Sequence, residues 1–345
     1  MAGIYLHIPF CKKRCIYCDF FSTTCKEQKT AYIRALCHEL TDRKDYLKGE
    51  PIETIYLGGG TPSQLAKEDF EAIFSHIYKV YKVTPNAEIT LEANPDDLTS
   101  EYISMLRTFP FNRISMGIQT FQETTLKQLQ RRHTADQAIR AFQGCRTAGF
   151  QNISIDLMYG LPGETLTSWK KDLKQALSLH PEHISAYHLI YEEGTPLWKV
   201  EEADEDLSVS LFGTLIDELT TAGYEHYEIS NFCLPGLHSR HNSSYWTEKQ
   251  YLGCGPSAHS YNGISRQWNV ASLDKYIEGI SSGNPTFEVE ELDLYTRYND
   301  FVITHIRTQW GMPLPKLGKQ YGEELYKYCL RMATPHLQQG TLEIK

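Results

Sequence analysis

The chain has 345 residues, which is enough for one large α/β domain and a smaller second domain. Hydrophobic residues make up 41% and charged residues 22%, as in an ordinary globular protein, and no apolar run approaches the length of a membrane span. The formal net charge of −9 argues against nucleic acid as the main partner. Met1–Phe10 lacks the features of a signal peptide, and the nine cysteines are an odd number. We therefore expect a reducing cytoplasm, where close-set cysteines bind metal more often than they pair.

Short apolar runs alternate with longer amphipathic runs over the first two thirds of the chain. The short runs predict strands at Gly3–Ile8, Thr54–Leu57, Glu88–Glu92, Arg113–Gly117, Asn152–Leu157 and His183–Tyr187. The longer runs predict helices at Gln28–Tyr46, Lys67–Tyr81, Ser100–Thr108, Thr134–Ala148, Leu166–Leu179 and Leu207–Ala222. Parallel neighbouring strands need crossover helices, so β-then-α units in series predict a parallel sheet, open or closed into a barrel.

This pattern divides the chain into three parts. Residues 1–227 are predicted to form an α/β domain, a partial (β/α)6 barrel. Its functional residues are expected at the carboxyl ends of the strands. The regular order ends near Tyr227, and residues 228–291 are predicted to be a connecting segment with a loop-like stretch at residues 241–246. Residues 231–263 are rich in Gly, Asn, Ser, Pro and aromatics. Residues 292–345 are predicted to form a smaller, mostly helical C-terminal domain.

The strongest local signal is a loop with three cysteines that directly follows the first predicted strand. Cys11, Cys15 and Cys18 have the spacing C-x3-C-x2-C. Iron–sulfur clusters are held by thiolates, usually four of them, so three leave one iron open to a small chelating molecule. We expect the basic residues at positions 12–14 to favour thiolates by making the loop electropositive. The loop therefore predicts an iron–sulfur cluster.

Zinc binding and coincidence are the competing interpretations of this loop. Structural zinc needs a second pair of cysteine or histidine ligands, and none is near in the sequence. Cys25 is a candidate fourth ligand but lies past the loop, near the start of a helix. The cysteines at 37, 145 and 329 lie in helical patterns and are predicted to be small core residues. We favour the cluster over both alternatives.

Glycines and polar residues follow the next predicted strands. Gly58–Pro62 contains three glycines, which either form a tight turn or let the backbone approach a ligand closely. Glu92, Gln119 and Asp156 lie at or near the ends of the third, fourth and fifth strands. Each alone is better explained by a capping or solvated role. Together they predict a polar ring around the cluster, at the carboxyl face of the sheet.

The cysteine spacing, with aromatic Tyr17 just before the last cysteine, resembles that of the radical SAM superfamily. In that superfamily the open iron of a [4Fe–4S] cluster chelates S-adenosylmethionine (SAM), and one electron from the cluster cleaves SAM to a 5′-deoxyadenosyl radical. The glycines at 58–60 are similar to the motif that meets the SAM amino group. The resemblance implies that Arg131 pairs with the SAM carboxylate, with Arg132 or a plain surface role as the alternatives.

Several further segments resemble one branch of the superfamily, the oxygen-independent coproporphyrinogen III oxidases and the related HemW-type haem chaperones. These segments are residues 5–11, 58–62, 116–119, 156–163 and 241–246, and they span roughly the first three-quarters of the chain. The resemblance implies a radical SAM barrel with SAM contacts at Tyr5, Tyr17, Gly59, Gly60, Thr61, Glu92, Gln119, Arg131 and Asp156.

Two departures from the oxidase pattern favour the chaperone. The oxidases carry a further cysteine two residues after the cluster triad, where this chain has Phe20. They also have a long segment before the first strand, whereas the first cluster cysteine of this chain is already Cys11. Both differences disfavour coproporphyrinogen oxidation.

The stretch His-Asn-Ser-Ser-Tyr-Trp at residues 241–246 matches the haem motif of the chaperones. A histidine nitrogen is a common axial ligand of haem iron, and aromatic rings pack against a flat macrocycle. From the residues alone, a loop histidine that holds domains together explains the stretch equally well. The resemblance favours His241 as the haem ligand, with His238 and Cys254 as nearby alternatives.

The resemblance thus implies a cytoplasmic chaperone that binds a [4Fe–4S] cluster, SAM and haem and delivers haem to an acceptor protein. An electron donor for the cluster is a second expected partner. The alternative is an oxygen-independent coproporphyrinogen III oxidase, and a third interpretation is a SAM-binding protein with a structural cluster. The sequence leaves open whether SAM is cleaved and whether the chain forms a homodimer. Residues 292–345 are expected to be a helical, winged-helix-like domain. The family usually continues past a segment like Gln339–Leu342, and the sequence leaves open whether this domain is truncated.

Overall fold

The structure is a computed structural model that describes residues 2–199 and 204–345. Met1 and residues 200–203 belong to the predicted barrel domain but lie outside the described residues. The six predicted strands are confirmed, and they pair in parallel and in chain order: β1 (Ala2–Ile8), β2 (Ile52–Gly59), β3 (Val83–Ala93), β4 (Arg113–Gln119), β5 (Ile153–Tyr159) and β6 (His183–His188). Strand β3 begins earlier than expected, because Val83 pairs with Ile52 before a bulge leads into the regular ladder.

Residues two apart on a strand share a face, so each strand separates an apolar face from a polar one. Ile4, Leu6 and Ile8 of β1 are fully buried in the main hydrophobic core, together with residues of the covering helices. Tyr5 and His7, which alternate with them, point to the opposite face and line a cavity there. The polar face of the sheet is therefore the one that lines this cavity.

Helices cover the apolar face of the sheet. They are α1 (Lys29–Asp42), α2 (Lys67–Val80), α3 (Ser100–Leu106), α4 (Glu123–Gln128), α5 (Ala135–Thr147), α6 (Leu166–Ser178) and α7 (Glu205–Thr221). Thr134 and Thr165 cap α5 and α6, and each accepts a hydrogen bond from a backbone N–H in the first turn of its helix. The predicted helices are confirmed. The short helix α4 was not predicted, because a helix of about one and a half turns gives only a weak sequence pattern.

Residues 228–291, predicted to be a connecting segment, contain regular strands and helices. Together with β7 (Glu225–Glu228), which precedes them, they complete a sheet of twelve described strands with β8 (Asn231–Cys233), β9 (Tyr251–Cys254), β10 (His259–Tyr261), β11 (Ser265–Asn269) and β12 (Phe287–Glu291). The strand order is β12-β11-β10-β9-β1-β2-β3-β4-β5-β6-β8-β7. The segment thus extends both edges of the parallel sheet, since β9 pairs with β1 and β8 pairs with β6. Two helices, α8 (Arg240–Trp246) and α9 (Leu273–Ser281), join these strands.

The C-terminal residues are helical, as expected. They form α10 (Leu294–His305) and α11 (Leu314–Gln338), and α11 is interrupted at Gly322, whose φ of 87° is not helical. A separate small core joins the two helices through Tyr298, Phe301, Leu317, Tyr321 and Cys329. Among the described residues, no helix has the combined length and apolar character that crossing a bilayer requires.

Candidate functional site

A cavity of about 400 Å³ lies at the carboxyl ends of the parallel strands. All of the predicted cluster and SAM residues except Tyr5 line it: Cys11, Cys15, Tyr17, Cys18, Gly59, Gly60, Thr61, Glu92, Gln119, Arg131 and Asp156. These residues come from the cysteine loop and from four strands, β2 to β5, or the segments that follow them. The fold therefore brings together residues that lie up to 145 positions apart, from 11 to 156.

The cysteine loop folds back on itself beside this cavity. The backbone N–H of Cys11 donates to the carbonyl of Thr23 at 2.8 Å, and that of Cys18 donates to the carbonyl of Cys15 at 3.3 Å. The hydroxyl of Thr61, after β2, donates to the sulfur of Cys11 at 3.3 Å. Three thiols on one cavity, with a hydrogen-bond donor to sulfur in place, fit a cluster that keeps one iron free of protein ligands.

Burial raises the pKa of Cys18 to about 11 and also raises the pKa of Cys11 above its ordinary value. Nearby arginines offset only part of this effect, and the ammonium of Lys12 is held by Asp97 at 2.5 Å. Arg14 does lower the pKa of Cys18, as expected of a basic loop residue, but the effect of burial is larger. Iron itself has to supply the positive charge, since metal binding displaces thiol protons.

Arg131 joins the cysteine loop to the strand ends. Its guanidinium donates to the sulfur of Cys15 and the hydroxyl of Tyr17, both at 3.3 Å. It also donates to Asn94 Oδ1 at 2.7 Å and to the carbonyl of Gly117 at 2.6 Å. Its Nε is buried without a hydrogen-bond partner among the described residues. Arg131 is thus placed at the cavity, with one donor unused by the protein.

The alternatives to these residues lie elsewhere. Arg132 pairs with Asp96 at 2.8 Å and Asp97 at 3.3 Å, and it does not line the cavity. Cys25 is exposed, lies outside the cavity, and its thiol donates to Glu27 at 2.9 Å. Arg132 therefore fits a bracing role next to the loop, and Cys25 is not positioned as a fourth ligand.

The glycines after β2 are required by close packing against β1. A Cβ on Gly59, whose φ is 105°, would lie 2.6 Å from the ring of His7. A Cβ on Gly60 would lie 2.8 Å from the carbonyl oxygen of Ile8, to which the Gly60 N–H donates at 2.8 Å. Gly59 and Gly60 also line the cavity, so the tight turn and the approach to a ligand occur at the same place.

Two partly buried carboxyl groups face the cavity. Glu92 accepts hydrogen bonds from the Tyr56 hydroxyl at 2.7 Å and the Gly59 N–H at 3.2 Å, and burial raises its pKa to about 7. Asp156 accepts a hydrogen bond from the Ser115 hydroxyl at 3.2 Å, and burial raises its pKa to about 6. Burial therefore moves the pKa of both carboxyl groups from the acid range toward neutrality.

Gln119 has an unusual backbone conformation at the end of β4. Its φ is 71°, in the left-handed region that residues other than glycine seldom occupy. The ladder between β4 and β5 shifts register between Gly117 and Gln119, which marks a bulge. Such a conformation costs about 1–3 kcal/mol and is maintained where the surroundings over-determine it, often at functional sites.

A second cavity, of about 660 Å³, adjoins the first and contains the two remaining predicted residues, Tyr5 and His241. Residues common to both linings are Asp19, Phe20, Tyr56, Glu92, Tyr187 and Asn242. The Tyr5 hydroxyl is hydrogen-bonded to His7 Nδ1 at 3.2 Å, and the Tyr5 ring stacks on the ring of Tyr56. Its predicted contact with SAM stays a prediction, because it lies on the wall of the second cavity.

The backbone N–H and both ring nitrogens of His241 have hydrogen-bond partners. It lies in the first turn of α8, whose N-terminal N–H groups at Arg240 and His241 donate to the Glu88 carboxylate at 3.0 Å. Its Nδ1 lies 2.8 Å from Thr54 Oγ1, and its Nε2 lies 3.0 Å from the hydroxyl of Tyr245. The expectation of a loop is wrong for this stretch, because helix α8 docks its amino end on β3.

The two alternative haem ligands lie outside both cavities. His238 lies 2.9 Å from the carboxylate of Glu225, and Cys254 is fully buried at the end of β9. Sequence reasoning missed Tyr56, Asn94 and Tyr187, which line the first cavity. Their strand positions were a usable signal, because Tyr56 is two residues before Gly58 and Asn94 is two residues after Glu92.

Comparison with known proteins agrees with this geometry. Residues 5–176 match the model of the radical SAM superfamily. The chain is 34% identical over 334 residues to the heme chaperone HemW of Bacillus subtilis, covering 94% of this chain and 88% of that protein. It is 34% identical over 336 residues to the heme chaperone HemW of Lactococcus lactis subsp. lactis, covering 93% of this chain and 87% of that protein.

Among solved structures, the chain is similar to coproporphyrinogen III oxidase (HemN) from Escherichia coli, a radical SAM enzyme. The TM-score is 0.88 at 22% sequence identity, and the match covers 100% of this chain and 85% of that one. At this level of identity the likeness establishes the fold.

Proposed function

The chain belongs to the radical SAM superfamily and, within it, to the family of the HemW heme chaperones, and from this premise we propose that it binds haem and delivers it to acceptor proteins. A radical SAM domain holds a [4Fe–4S] cluster and SAM. We assign the cluster to Cys11, Cys15 and Cys18, and SAM to the cavity of about 400 Å³ beside them. Haem is assigned to the adjoining larger cavity.

One observation carries the haem assignment: a neutral, fixed imidazole lies in a large cavity next to the cluster cavity. Burial lowers the pKa of His241 to about 3, and the positive charge of Arg113 adds to the effect. The ring is therefore neutral at physiological pH, as a ligand of haem iron must be. Its Nε2 faces Tyr245, whose hydroxyl has to turn away when iron binds.

The remaining lining of this cavity suits a flat macrocycle with acidic side chains. Phe20, Phe21 and Trp246 supply aromatic surface against which a porphyrin ring can pack. Arg307 also lines the cavity, with its guanidinium 5.1 Å from the centre of the Trp246 ring. A guanidinium is a natural partner for a haem propionate.

The residues of the first cavity have separate tasks toward SAM. Arg131 carries the positive charge that would meet the SAM carboxylate, and its contact with Cys15 keeps it next to the cluster loop. Glu92 and Asp156 would accept hydrogen bonds from the amino and hydroxyl groups of SAM. The cluster, when bound, supplies the electron that cleaves SAM in radical chemistry. An electron donor is therefore a second partner that we expect.

Oxygen-independent coproporphyrinogen III oxidation is the alternative function. The observation that favours it is the junction of the two cavities at Phe20, Glu92 and Tyr187, which would bring a porphyrinogen close to SAM. Phe20 stands where the oxidases have a further cysteine, which argues against this alternative. A SAM-binding protein with a structural cluster is a third, simpler possibility, and it predicts no haem binding.

Haem titration of the anaerobically reconstituted protein tests the proposal. We expect stoichiometric binding with an absorption spectrum of a histidine ligand, and the spectrum or the occupancy should change in His241→Ala. His226→Ala is the matched control, because His226 stacks on Phe232 and lies outside the cavity. Iron, sulfide and SAM contents should be equal in all three proteins.

If haem binds without change in His241→Ala, the chaperone proposal survives but the ligand is wrong. His7 and His259, which line the same cavity, are then the residues to replace next. Failure of the unmodified protein to bind haem would contradict the proposal. The cytoplasmic location and a homodimer stay predictions, and light scattering of the haem-loaded protein tests the second of them.

A further inference from the structure

Three side chains with metal-ligating atoms meet at the other end of the sheet, away from the cluster. Glu225 begins β7, Cys233 ends β8, and His238 follows five positions later. One ligand atom from each of the three lies within 4.8 Å of the others. Cys233 pairs with His183, the first residue of β6, so this group lies at the amino ends of the parallel strands. We call it the Glu225–Cys233–His238 triad.

The local fold holds the triad together. Glu225 and Cys233 are directly opposed in the antiparallel β7–β8 ladder, so their side chains share one face and their Cβ atoms are neighbours. A turn then reverses the chain: Gly236 has a φ of 79°, and the Leu237 N–H donates to the Leu234 carbonyl at 3.0 Å. This turn returns His238 to the end of the ladder.

The imidazole of His238 is oriented from several directions. The rings of Tyr227 and Trp310 meet it edge-on, with centroids 4.8 Å and 5.3 Å away. Its Nε2 lies 2.9 Å from Glu225 Oε2 and 3.4 Å from the side-chain amide of Gln309. The atom that a metal would need is therefore the one directed at the carboxylate.

The triad combines a buried thiol with an open side. Cys233 is fully buried, whereas the side chains of His238 and Glu225 are 24% and 35% exposed. An ion can therefore enter from solvent between the imidazole and the carboxylate and reach the sulfur behind them. A simple surface ion pair would explain the contact of His238 with Glu225, but it gives no account of the thiol placed within ligand distance of both.

We propose that Glu225, Cys233 and His238 bind one divalent transition-metal ion, with zinc as the occupant and water at the fourth position. Sulfur, imidazole nitrogen and carboxylate oxygen are the ligands that zinc prefers, and three of them with one open position form a common zinc geometry. Magnesium and calcium favour oxygen ligands and do not fit a thiolate. Binding displaces the thiol proton of Cys233 and the proton between Glu225 and His238, and both are released to solvent.

This site would brace the segment that leads into the haem cavity. His238 directly precedes Ser239, whose hydroxyl caps α8 by accepting the N–H of Asn242. Helix α8 carries His241. A metal ion that ties His238 to β7 and β8 therefore fixes the start of this helix, and it should raise the melting temperature of the chain as zinc concentration increases.

Metal analysis of the anaerobically reconstituted full chain tests the proposal. After equilibration with zinc alone at buffered micromolar free concentration, we expect about one zinc ion per chain in addition to the cluster iron, as a single site requires. Cys233→Ala and His238→Gln should each weaken zinc binding at least tenfold. Cys145→Ala is the matched control, because Cys145 is a buried thiol in α5 outside any such group.

A second measurement excludes zinc held by the cluster loop. In the full chain with Cys11, Cys15 and Cys18 replaced by serine, cobalt(II) should give a thiolate-to-cobalt absorption band in the near ultraviolet. This band should vanish on further replacement of Cys233 and persist on replacement of Cys145. Zinc or cobalt binding that is absent, or that is unchanged in both Cys233→Ala and His238→Gln, overturns the proposal. If Cys233→Ala does not fold, the partly exposed His238→Gln decides the result.

Discussion

The guanidinium of Arg131 lies 3.3 Å from the sulfur of Cys15 and 2.7 Å from Asn94 Oδ1, so a single side chain connects the cysteine loop to the end of β3. This arrangement couples the position of a proposed cluster ligand to the wall of the proposed SAM cavity. It also gives Arg131 a role that its neighbour Arg132, held by Asp96 and Asp97, cannot take over.

Arg131→Ala should weaken SAM binding while leaving the iron content unchanged. Loss of a charge-assisted contact typically costs about 1.5–3 kcal/mol, which corresponds to roughly one to two decades in affinity. Equilibrium dialysis of SAM with the cluster-loaded protein measures the effect, and Arg132→Ala is the matched control. Equal SAM affinity in Arg131→Ala and the unmodified chain would remove Arg131 from the site.

The cluster assignment predicts about four irons and four sulfides per chain after anaerobic reconstitution. Replacing Cys11, Cys15 or Cys18 by alanine should abolish this content, because each supplies one of only three protein thiolates. Cys37→Ala and Cys145→Ala are the controls and should retain it, since both thiols lie on helices outside the cavity. Zinc in place of iron at Cys11, Cys15 and Cys18 would show that the assignment is wrong.

SAM affinity should rise with pH as the buried carboxyl groups of the first cavity ionise. Burial raises the pKa of Asp156 to about 6 and that of Glu92 to about 7, so Asp156 ionises around pH 6 and Glu92 around pH 7. The charged forms are stronger hydrogen-bond acceptors and attract the positive sulfonium group of SAM. Glu92→Gln should remove the part of the rise that is centred near pH 7, and a pH-independent affinity in the unmodified protein would contradict this role.

The same pKa shift has the opposite effect on the stability of the chain without SAM. A carboxyl group whose pKa is raised by folding holds its proton more tightly in the folded state. The resulting stabilisation is complete below the ordinary value of 4.5 and is lost as the pH rises through about 7. Urea unfolding should therefore show a free energy of unfolding that declines over this interval, with a smaller decline in Glu92→Gln. A decline of equal size in both proteins would assign it to other groups.

Tyr245→Phe should strengthen haem binding. The Tyr245 hydroxyl lies 3.0 Å from Nε2 of His241 and has to leave before this nitrogen can bind iron. A hydrogen bond of this kind has a net worth of about 0.5–1.5 kcal/mol, so its loss should raise haem affinity roughly two- to tenfold. Tyr251→Phe, on the wall of the same cavity, is the control. Weaker binding in Tyr245→Phe would mean that the hydroxyl itself contacts haem.

The parallel part of the fold could be predicted because its periodicity is strong. Strands such as Gly3–Ile8 are bounded by turn residues, and crossover helices follow from parallel pairing alone. The strands after β6 escaped prediction because β8 and β10 have three residues each, too few to show alternation. Helix α8 escaped for a different reason: its seven residues depend on tertiary contacts, in particular the docking of its amino end on Glu88.

The composition of the first cavity was also largely accessible from sequence, because residues at the carboxyl ends of neighbouring parallel strands must meet. The protonation states of the residues that line this cavity could not be predicted from the sequence. The sequence places three basic residues beside the cysteines, whereas the structure partly buries Cys18 and pairs Lys12 with Asp97. The Glu225–Cys233–His238 triad could not be predicted either, because it depends on the antiparallel register between β7 and β8, and no local sequence pattern indicates that register.

Incubation of the reconstituted protein with coproporphyrinogen III, SAM and a reductant, alongside a parallel incubation with haem, tests the central proposal most directly. The chain has Phe20 where the oxidases have a cysteine, and it places His241 in a cavity next to the cluster site. We predict that haem stays bound through gel filtration and that chromatography of the porphyrins detects no decarboxylated product. Robust decarboxylation of coproporphyrinogen III by the unmodified chain would contradict the chaperone proposal and establish the oxidase alternative.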